Sequence, residues 1–227
     1  MFVARNRQAN HPTMVALLDA TVALLESKTP DEITVEDVLT TSGISSGSLY
    51  HHFGDLNKLI DAAMVVRFAR GVDWSIKVLG TAMAEARDRT DLVARLHQIT
   101  LQTQSPDRRD VRAERVLAIA RATASPRFRE ALAPEQARLT HGIAEVWADL
   151  QTRGLVAKSI DPQAGSLFIQ AYTLGLALND VSDDPVPFDS WVAMIDAVVS
   201  RTLVDVDADQ EHANRVFDQA PGAATRS

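Results

Sequence analysis

The segment TVEDVLTTSGISSGSLYHHFGDLNKLI, residues 34–60, predicts two short helices, a turn between them and the start of a longer third helix. Thr34 is placed to cap the first helix, because its hydroxyl can accept hydrogen bonds from free backbone N–H groups in the first turn. Val35 and Val38 follow one turn apart and give this helix an apolar face. Gly43 then marks a sharp turn, since glycine reaches positive φ without a steric penalty.

The second helix of this segment has one apolar face and one polar face. Ser45 or Ser46 can cap it, and a helix that begins there directs Leu49 and Phe53 inward and the residues between them outward. The spacing of the turn and of Leu49 is typical of a helix-turn-helix, in which the second helix enters the major groove of DNA.

The turn and the second helix also contain a longer and more specific run, Gly43-Ile44-Ser45-x-Gly47-x-Leu49-Tyr50-x-His52-Phe53. This run resembles the DNA-binding head of the tetracycline-repressor (TetR) family of bacterial regulators, and the resemblance covers residues 12–65. It implies that Tyr50 contacts a phosphate or a base and that Phe53 belongs to the core. Two positions depart from the family: this chain has Leu39 where members usually have a small alanine, and Leu56 where they often carry a phosphate-binding lysine. Lys58 lies about 200° further around the helix and does not simply replace it.

Two further groups are candidates for DNA contact. His51 and His52 either contact DNA or cover the small core of the head, and contact is favoured because exposed imidazoles beside a recognition helix have few structural uses. Arg5 and Arg7 lie in a polar arm over residues 1–10, which either reaches phosphates or the minor groove or is a frayed terminus. The full set expected to contact double-stranded DNA is Arg5, Arg7, Thr34, Ser45, Ser46, Gly47, Ser48, Tyr50, His51, His52 and Lys58.

The charge of the chain argues against strong nonspecific binding to nucleic acid. The 227 residues carry a net charge of −7. Within residues 1–60, four basic side chains stand against seven acidic ones, which gives a net charge of −3. A DNA reader normally has a basic footprint. We therefore expect its affinity to depend on a dimer and on base contacts.

Composition limits the other function classes. The chain has no cysteine, which excludes disulfides, thiolate metal sites and thiol nucleophiles. The first residues lack the apolar run of a secretory signal, and no stretch has the length of a membrane span. We therefore expect a cytoplasmic protein with no membrane partner. His141 and Glu145 have a spacing that could chelate a metal, but an ordinary helix pair explains them better. No metal and no cofactor are expected, and an enzyme has the least support, because no nucleophile–base constellation or phosphate loop is present.

Helical periodicity continues through the rest of the chain without a strand pattern. It predicts an all-α fold of about nine helices: a first helix from Pro12 to about Lys28, the two short helices, and further helices over roughly 55–79, 90–104, 107–124, 134–153, 162–180 and 188–204. Gly80 and the Ala133-Pro134 pair are among the expected breaks. The expected domains are a helix-turn-helix DNA-binding domain over 1–55, a ligand-binding and dimerisation domain over 56–204, and an acidic tail over 205–227.

Two late segments indicate a dimer. Residues 167–178 are apolar nearly all the way round, so a helix formed by them must be covered on more than one side. The last helix carries an apolar stripe that begins at Trp191. In the TetR family the final two long helices pair with those of a second subunit, and the resemblance therefore implies a homodimer. The expected interface residues are Leu167, Ala171, Leu174, Gly175, Leu178, Trp191, Ile195 and Val198.

The resemblance also implies a ligand cavity between the helices of the second domain. The candidate lining residues are Trp74, Met83, His97, Phe128, Trp147, Phe168 and Tyr172. Taken singly, each is explained more readily by core packing. Their composition indicates a small apolar effector ligand with one or two polar groups.

The sequence thus favours a homodimeric, TetR-like DNA-binding transcriptional regulator, most simply a repressor that a small apolar ligand releases from a pseudo-palindromic operator. The alternative is a helical small-molecule-binding or adaptor protein whose DNA-binding head has lost its affinity for an operator. The acidic head and Leu56 are compatible with that alternative.

Overall fold

The computed structural model describes residues 11–204, so the expected arm with Arg5 and Arg7 and the expected tail over 205–227 lie outside the described residues. Within them the chain is helical and contains no β-strand, which confirms the predicted all-α class. The helices are α1 (Pro12–Leu24), α2 (Val35–Ser42), α3 (Ser46–Phe53), α4 (Leu56–Ala84), α5 (Arg89–Gln104), α6 (Arg109–Ala124), α7 (Pro126–Thr152), α8 (Pro162–Gly175), α9 (Ala177–Asp180) and α10 (Phe188–Val204), with 3₁₀ turns at Pro30–Glu32 and Pro106–Arg108.

The described residues form two compact units. The first comprises the residues up to Ser75 together with Arg115–Leu139, and the second comprises Ile76–Glu114 together with the residues from Thr140 on. Helices α4, α6 and α7 each contribute residues to both units. The functional boundary expected after residue 55 stays a prediction.

The first unit contains the helix-turn-helix. Helix α1 packs against α2 and α3, and Leu17, Val38 and Leu49 from these three helices are each fully buried. Burial of large aliphatic side chains stabilises each by about 1.5–3 kcal/mol relative to exposure. The three short helices are therefore held by one shared core.

The second unit has a core made mainly by α4, α5 and α7. Met83, Leu92, Trp147, Leu150 and Val156 belong to one buried cluster. Helix α10 packs against α5. Apolar burial in this unit therefore extends from the end of α4 to the last described helix.

The break expected at Gly80 is wrong, because α4 continues to Ala84. Leu79 packs against the second unit's core and Met83 is 1% exposed within it. A glycine inside a helix costs about 0.5–1 kcal/mol relative to alanine, and burial of these neighbouring side chains outweighs that cost.

The break expected at Ala133-Pro134 is also wrong, since Pro134 lies inside α7. Proline removes one backbone hydrogen bond and crowds the preceding turn. Here Pro134 itself is exposed, while Leu132 and Leu139 on either side of it are buried. The buried side chains keep α7 continuous through the proline.

Two smaller differences concern helix ends. Helix α1 stops at Leu24, followed by a turn, rather than continuing to Lys28. The helix expected over 162–180 is divided at Leu176 into α8 and α9. Both differences lie at or near element ends, where local sequence signals are weakest.

Two glycines have contrasting surroundings, and this contrast gives a prediction for stability. A Cβ atom at Gly165 in α8 would lie 2.7 Å from Cε3 and Cζ3 of Trp147, whereas a Cβ at Gly80 would meet Val146 Cγ2 at an ordinary 3.9 Å. Gly165→Ala should therefore lower the free energy of unfolding by about 1–3 kcal/mol, because an indole ring cannot yield as a flexible chain would. Gly80→Ala, the matched control, should leave it unchanged or raise it by about 0.5–1 kcal/mol. Urea unfolding followed by circular dichroism measures both, and equal effects of the two variants would contradict the prediction.

Candidate DNA interface and candidate ligand cavity

Helix α3 is fixed at both ends by local chemistry. Gly43 ends α2 with φ 69° and Gly54 follows α3 with φ 82°, a region that favours glycine. The Ser45 side chain accepts a hydrogen bond from the backbone N–H of Ser48 at 3.4 Å, which caps the first turn. The turn and the cap are those that the sequence predicts.

The two faces of α3 differ in exposure. Leu49 is fully buried and Phe53 is partly buried, whereas Tyr50 is 51% exposed. Gly47 and His51 are also exposed, and Ser46 lies with them at the start of the helix. The side chains predicted to contact DNA thus share the outward face, although their contact with DNA stays a prediction.

Thr34 caps α2 as the sequence predicts, a structural role that accompanies its predicted contact with DNA. Its hydroxyl accepts from the backbone N–H of Asp37 at 3.2 Å and lies 2.8 Å from Asp37 Oδ2, while its own backbone N–H donates to the same oxygen at 2.9 Å. These bonds form a reciprocal capping box at the start of α2. Thr34 is exposed, so its predicted contact with DNA is compatible with the cap.

Both basic side chains between residues 11 and 60 are held in ion pairs. Lys28 Nζ lies 2.6 Å from Asp37 Oδ1, and Lys58 Nζ lies 3.1 Å from Asp55 Oδ2. The Lys28 hydrogen bond and then the Thr34 backbone N–H lower the pKa of Asp37 to about 2. The backbone N–H of Lys58, followed by its ammonium group, lowers the pKa of Asp55. These carboxylates are therefore ionised at neutral pH and neutralise the two lysines.

Three histidines lie close together beside the outward face of α3. The ring centroids of His11 and His52 are 4.9 Å apart, and those of His51 and His52 are 5.1 Å apart. Burial of the ring lowers the pKa of His52, and the neighbouring His11 and His51 lower it further. We refer to His11, His51 and His52 as the histidine cluster.

Met83 and Trp147, two of the predicted ligand-binding residues, are brought together in the second unit. They line a cavity of about 20 Å³ that is otherwise formed by aliphatic side chains: Leu79, Leu96, Ile143, Val146, Leu150, Val156 and Ile169. Trp147 is 6% exposed, and its Nε1 has no hydrogen-bond partner among the described residues. A buried, unsatisfied donor costs about 1–3 kcal/mol.

Three other predicted ligand-binding residues, His97, Phe168 and Tyr172, lie in the same unit. His97 Nδ1 lies 2.7 Å from Asp196 Oδ2. Phe168 and Tyr172 meet edge to face at 5.7 Å. Burial raises the pKa of the Tyr172 hydroxyl to about 12 and the charge of Asp196 adds to the rise, while a hydrogen bond with Thr100 opposes it. These groups provide polar contacts that the aliphatic cavity lacks.

The remaining two predicted ligand-binding residues, Trp74 and Phe128, belong to the first unit. Phe128 is 1% exposed, and the guanidinium of Arg121 lies 5.7 Å from the centroid of its ring. Trp74 is partly buried. Their contact with a ligand stays a prediction.

The predicted dimer-interface residues fall into two groups by exposure. Leu167 is 61% exposed and Leu178 is 80% exposed. Ile195 is only 5% exposed, so it packs within its own chain. The Trp191 indole is partly buried and donates to Gln104 Oε1 at 3.1 Å. Of the other predicted interface residues, Ala171 is exposed, and Leu174, Gly175 and Val198 are partly buried.

Several residues that the structure places beside the predicted ones could not be identified from the sequence. His11 contacts His52 across 41 positions, and Asp196 contacts His97 across 99. Their only sequence signal is their residue type, which does not identify a partner on another helix. The aliphatic residues of the cavity carry the ordinary periodicity of a core, and that pattern does not distinguish a lining residue from a packed one.

Two structural features are absent from residues 11–204. No group of three or more histidine or acidic side chains in this range is placed to hold a metal ion. No helix in the range is both long and apolar enough to cross a membrane.

Two family models match the chain. Residues 17–66 match the model described as "Bacterial regulatory proteins, tetR family", and residues 93–204 match that of the "BetI-type transcriptional repressor, C-terminal". Together they cover the helix-turn-helix and most of the helices that follow it. No curated protein matches the sequence significantly.

Solved structures share the fold at low sequence identity. A protein described as a TetR-family transcriptional regulator from Mesorhizobium loti is 20% identical with a TM-score of 0.62, covering 86% of this chain and 95% of that one. A regulator from Saccharomonospora viridis in complex with choline is 16% identical with a TM-score of 0.61, covering 85% and 97%. Salmonella enterica GusR is 20% identical with a TM-score of 0.57, covering 85% and 95%. At these identities the likeness concerns the fold alone.

Proposed function

Because the chain belongs to the TetR family of bacterial transcriptional regulators, we propose that it is a homodimeric repressor that leaves its operator when it binds a small, largely apolar effector. The observation that carries the proposal is the outward face of α3. Tyr50 is half exposed there, while its neighbour Leu49 is fully buried. A short helix held by its inner face alone leaves its outer face free to enter a major groove.

Two copies of α3 are required for specific binding. A helix-turn-helix dimer places its recognition helices in successive major grooves, about one helical turn apart on a pseudo-palindromic site. A single head with net charge −3 over residues 1–60 gains little from nonspecific attraction to phosphates. Pairing two heads compensates for this weak attraction, because the two base-reading surfaces act together.

Exposed apolar side chains in the second unit support the dimer. Leu167, Leu178 and Met194 on α8, α9 and α10 are 61%, 80% and 59% exposed. Phe168 adds another half-exposed ring. Large exposed apolar side chains concentrated on neighbouring segments are typical of an interaction surface. We assign this surface to a second copy of the chain.

The cavity around Trp147 supports an effector with a hydrogen-bond acceptor. Trp147 lines the cavity through its carbon atoms. The indole N–H of the same side chain is buried without a partner among the described residues and becomes accessible to a ligand when lining side chains move. A buried water needs two to four polar partners, so a single water fits this site poorly. An apolar molecule with a carbonyl or similar oxygen would satisfy the N–H and cover the aliphatic walls. The choline bound by the Saccharomonospora viridis regulator supports a small-molecule effector without indicating which one.

Helix α4 provides a route for release. Leu79 and Met83 line the cavity and belong to the same continuous helix as Leu56, which follows the head directly. The cavity is smaller than a ligand of several heavy atoms, so binding must displace lining side chains, and Met83 is the most adaptable of them. A ligand that favours one of two conformations by a factor of about 100 supplies close to 2.7 kcal/mol, within the usual range of allosteric coupling.

A second candidate function is an adaptor or small-molecule-binding protein whose head no longer binds an operator. It is supported by the ion pairing of Lys28 and Lys58 and by Leu56 at the position of the family's usual lysine. The DNA-binding experiment below separates the two candidates.

We predict that purified protein selects specific fragments from genomic DNA and that Tyr50→Ala weakens binding to the selected operator by about 1–3 kcal/mol, the loss expected for one docking contact. Leu56→Lys should strengthen binding and steepen its dependence on salt, because it adds a cation next to the head. Fluorescence anisotropy with the selected duplex measures both effects.

Leu117→Ala is the control for these variants, since Leu117 is 43% exposed on α6, outside the helix-turn-helix, and its replacement should leave operator affinity unchanged. Failure to select any DNA, together with no gain from Leu56→Lys, would favour the adaptor over the regulator.

We predict that Leu178→Glu combined with Met194→Glu converts the dimer into monomers. Both side chains are more than half exposed in the single chain, so the charges should not disturb its fold, but they would be buried without partners in the dimer. Sedimentation velocity gives the oligomeric state. Val116→Glu, at a residue 41% exposed on α6, is the matched control and should remain dimeric. A double variant that stays dimeric would place the interface on another surface.

We predict that the effector site prefers ligands with an acceptor oxygen and that Trp147→Phe removes this preference. In matched pairs such as acetophenone and ethylbenzene, the ketone should raise the melting temperature of the wild-type protein more, because one hydrogen bond contributes about 0.5–1.5 kcal/mol. The phenylalanine variant keeps a buried ring but lacks the N–H, so it should respond equally to both members of a pair. Thermal-shift assays measure the difference, and an unchanged ketone preference in Trp147→Phe would show that the indole is not the anchor.

A further inference from the structure

The helix-turn-helix has a shortage of available positive charge. Between residues 11 and 60, the basic side chains are Lys28 and Lys58, and each is in contact with a carboxylate. DNA presents about one negative charge per 1.7 Å of its axis. The groups in this range that can still become cations are the three imidazoles of the histidine cluster.

The geometry of the cluster places these imidazoles on one surface. His52 lies between the other two rings, at 4.9 Å from His11 and 5.1 Å from His51. His11 and His51 are exposed, and His52 is partly buried. His51 and His52 are in the last turn of α3, next to the exposed ring of Tyr50. A phosphate that binds beside this last turn of α3 therefore meets the cluster.

We propose that His11, His51 and His52 form a proton-dependent phosphate-binding site, so that the protein takes up protons when it binds DNA and binds more tightly as the pH falls. The ligand of this site is the DNA phosphate backbone. The inference rests on the proposed function, because it requires the head to bind DNA. It adds His11, at the start of α1, to the residues expected at the interface.

The other charged side chains near the histidine cluster do not supply the positive charge that protonated imidazoles would supply. The titratable groups on α1, on α2 and around the start of α4 are Asp19, Glu36, Asp37, Asp55, Lys58 and Asp61. Asp19 lies 3.6 Å from Arg70, and Asp61 contacts Arg121 and Arg127. Asp37 and Asp55 contact the two lysines. Most of the nearby carboxylates are thus already paired, and the pKa of His52 is lowered rather than raised.

The direction of the pH effect follows from the change in the surroundings of the imidazoles when DNA binds. In the free protein, burial and the neighbouring imidazoles disfavour a charge on His52. Phosphates brought within a few ångströms favour the protonated form of the rings. The added affinity is therefore complete below the pKa values of the free protein and is lost as the pH rises through those of the complex. Each proton taken up changes the dissociation constant by up to about tenfold per pH unit.

The test compares operator binding between pH 6.0 and pH 8.0 at constant ionic strength, with a 30-base-pair duplex that contains the operator selected from genomic DNA. For the wild-type protein, Kd should be at least about tenfold lower at pH 6.0. In the double variant His11→Gln, His52→Gln, the ratio of the Kd values at pH 8.0 and pH 6.0 should be at least about threefold smaller than in the wild type, because only His51 can still take up a proton. His141→Gln is the matched control, since His141 is exposed on α7, and it should retain the wild-type pH dependence.

A second measurement on the wild-type chain alone keeps the test independent of how the variants fold. The slope of log Kd against log salt should be steeper at pH 6.0 than at pH 8.0 by about 0.9 for each phosphate newly neutralised. A wild-type Kd that is independent of pH, or a double variant with the full pH dependence, would overturn the inference while leaving DNA binding intact. Absence of binding at every pH would instead overturn the proposed function, and this inference with it.

Discussion

A helix of eight residues is not stable by itself in water, and the head of this protein is organised around that constraint. Helix α3 persists because one side chain, Leu49, is fully buried against its neighbours and because glycines at positive φ fix the chain at positions 43 and 54. The Ser45 cap satisfies a backbone N–H in the first turn. These few interactions hold the inner face of α3. The outer face makes little contribution to stability and is therefore free to be selected for binding.

The same distinction explains which parts of the fold could be predicted from the sequence. The cap by Thr34 and the turn at Gly43 depend on neighbouring residues, and both are confirmed. The breaks expected at Gly80 and Pro134 were wrong because distant side chains decide those positions. Burial of the side chains around them outweighs the cost of a residue that disfavours a helix, which is about 1 kcal/mol for glycine and about 3 kcal/mol for proline. Predictions from local sequence were reliable for the short helices of the head and unreliable inside the two longest helices, α4 and α7.

The residues of the candidate sites could be predicted from the sequence, but the contacts that they make with residues on other helices could not. Periodicity identified the apolar stripe on α10, yet it did not reveal that Ile195 is buried within its own chain, because an inward and an outward apolar residue give the same pattern. The sequence indicated His52 as a DNA contact, but it could not indicate that His11 lies 4.9 Å away. Contacts between helices depend on packing that no local window contains. The sites therefore emerge only when side chains from separate helices are placed together.

The buried polar groups of the second unit are paired within the chain, with Trp147 as the exception among the described residues. Arg112, 2% exposed, is bound by both carboxylate oxygens of Asp180 at 2.7 and 2.8 Å, and fully buried Gln104 accepts from Trp191. Among the described residues, Trp147 Nε1 is the buried side-chain donor without a partner. A phenylalanine would fill much of the same space without that loss of about 1–3 kcal/mol. The tryptophan is physically reasonable if a molecule that displaces lining side chains reaches this N–H, since the energy lost without a ligand then becomes a preference for the ligand-bound conformation.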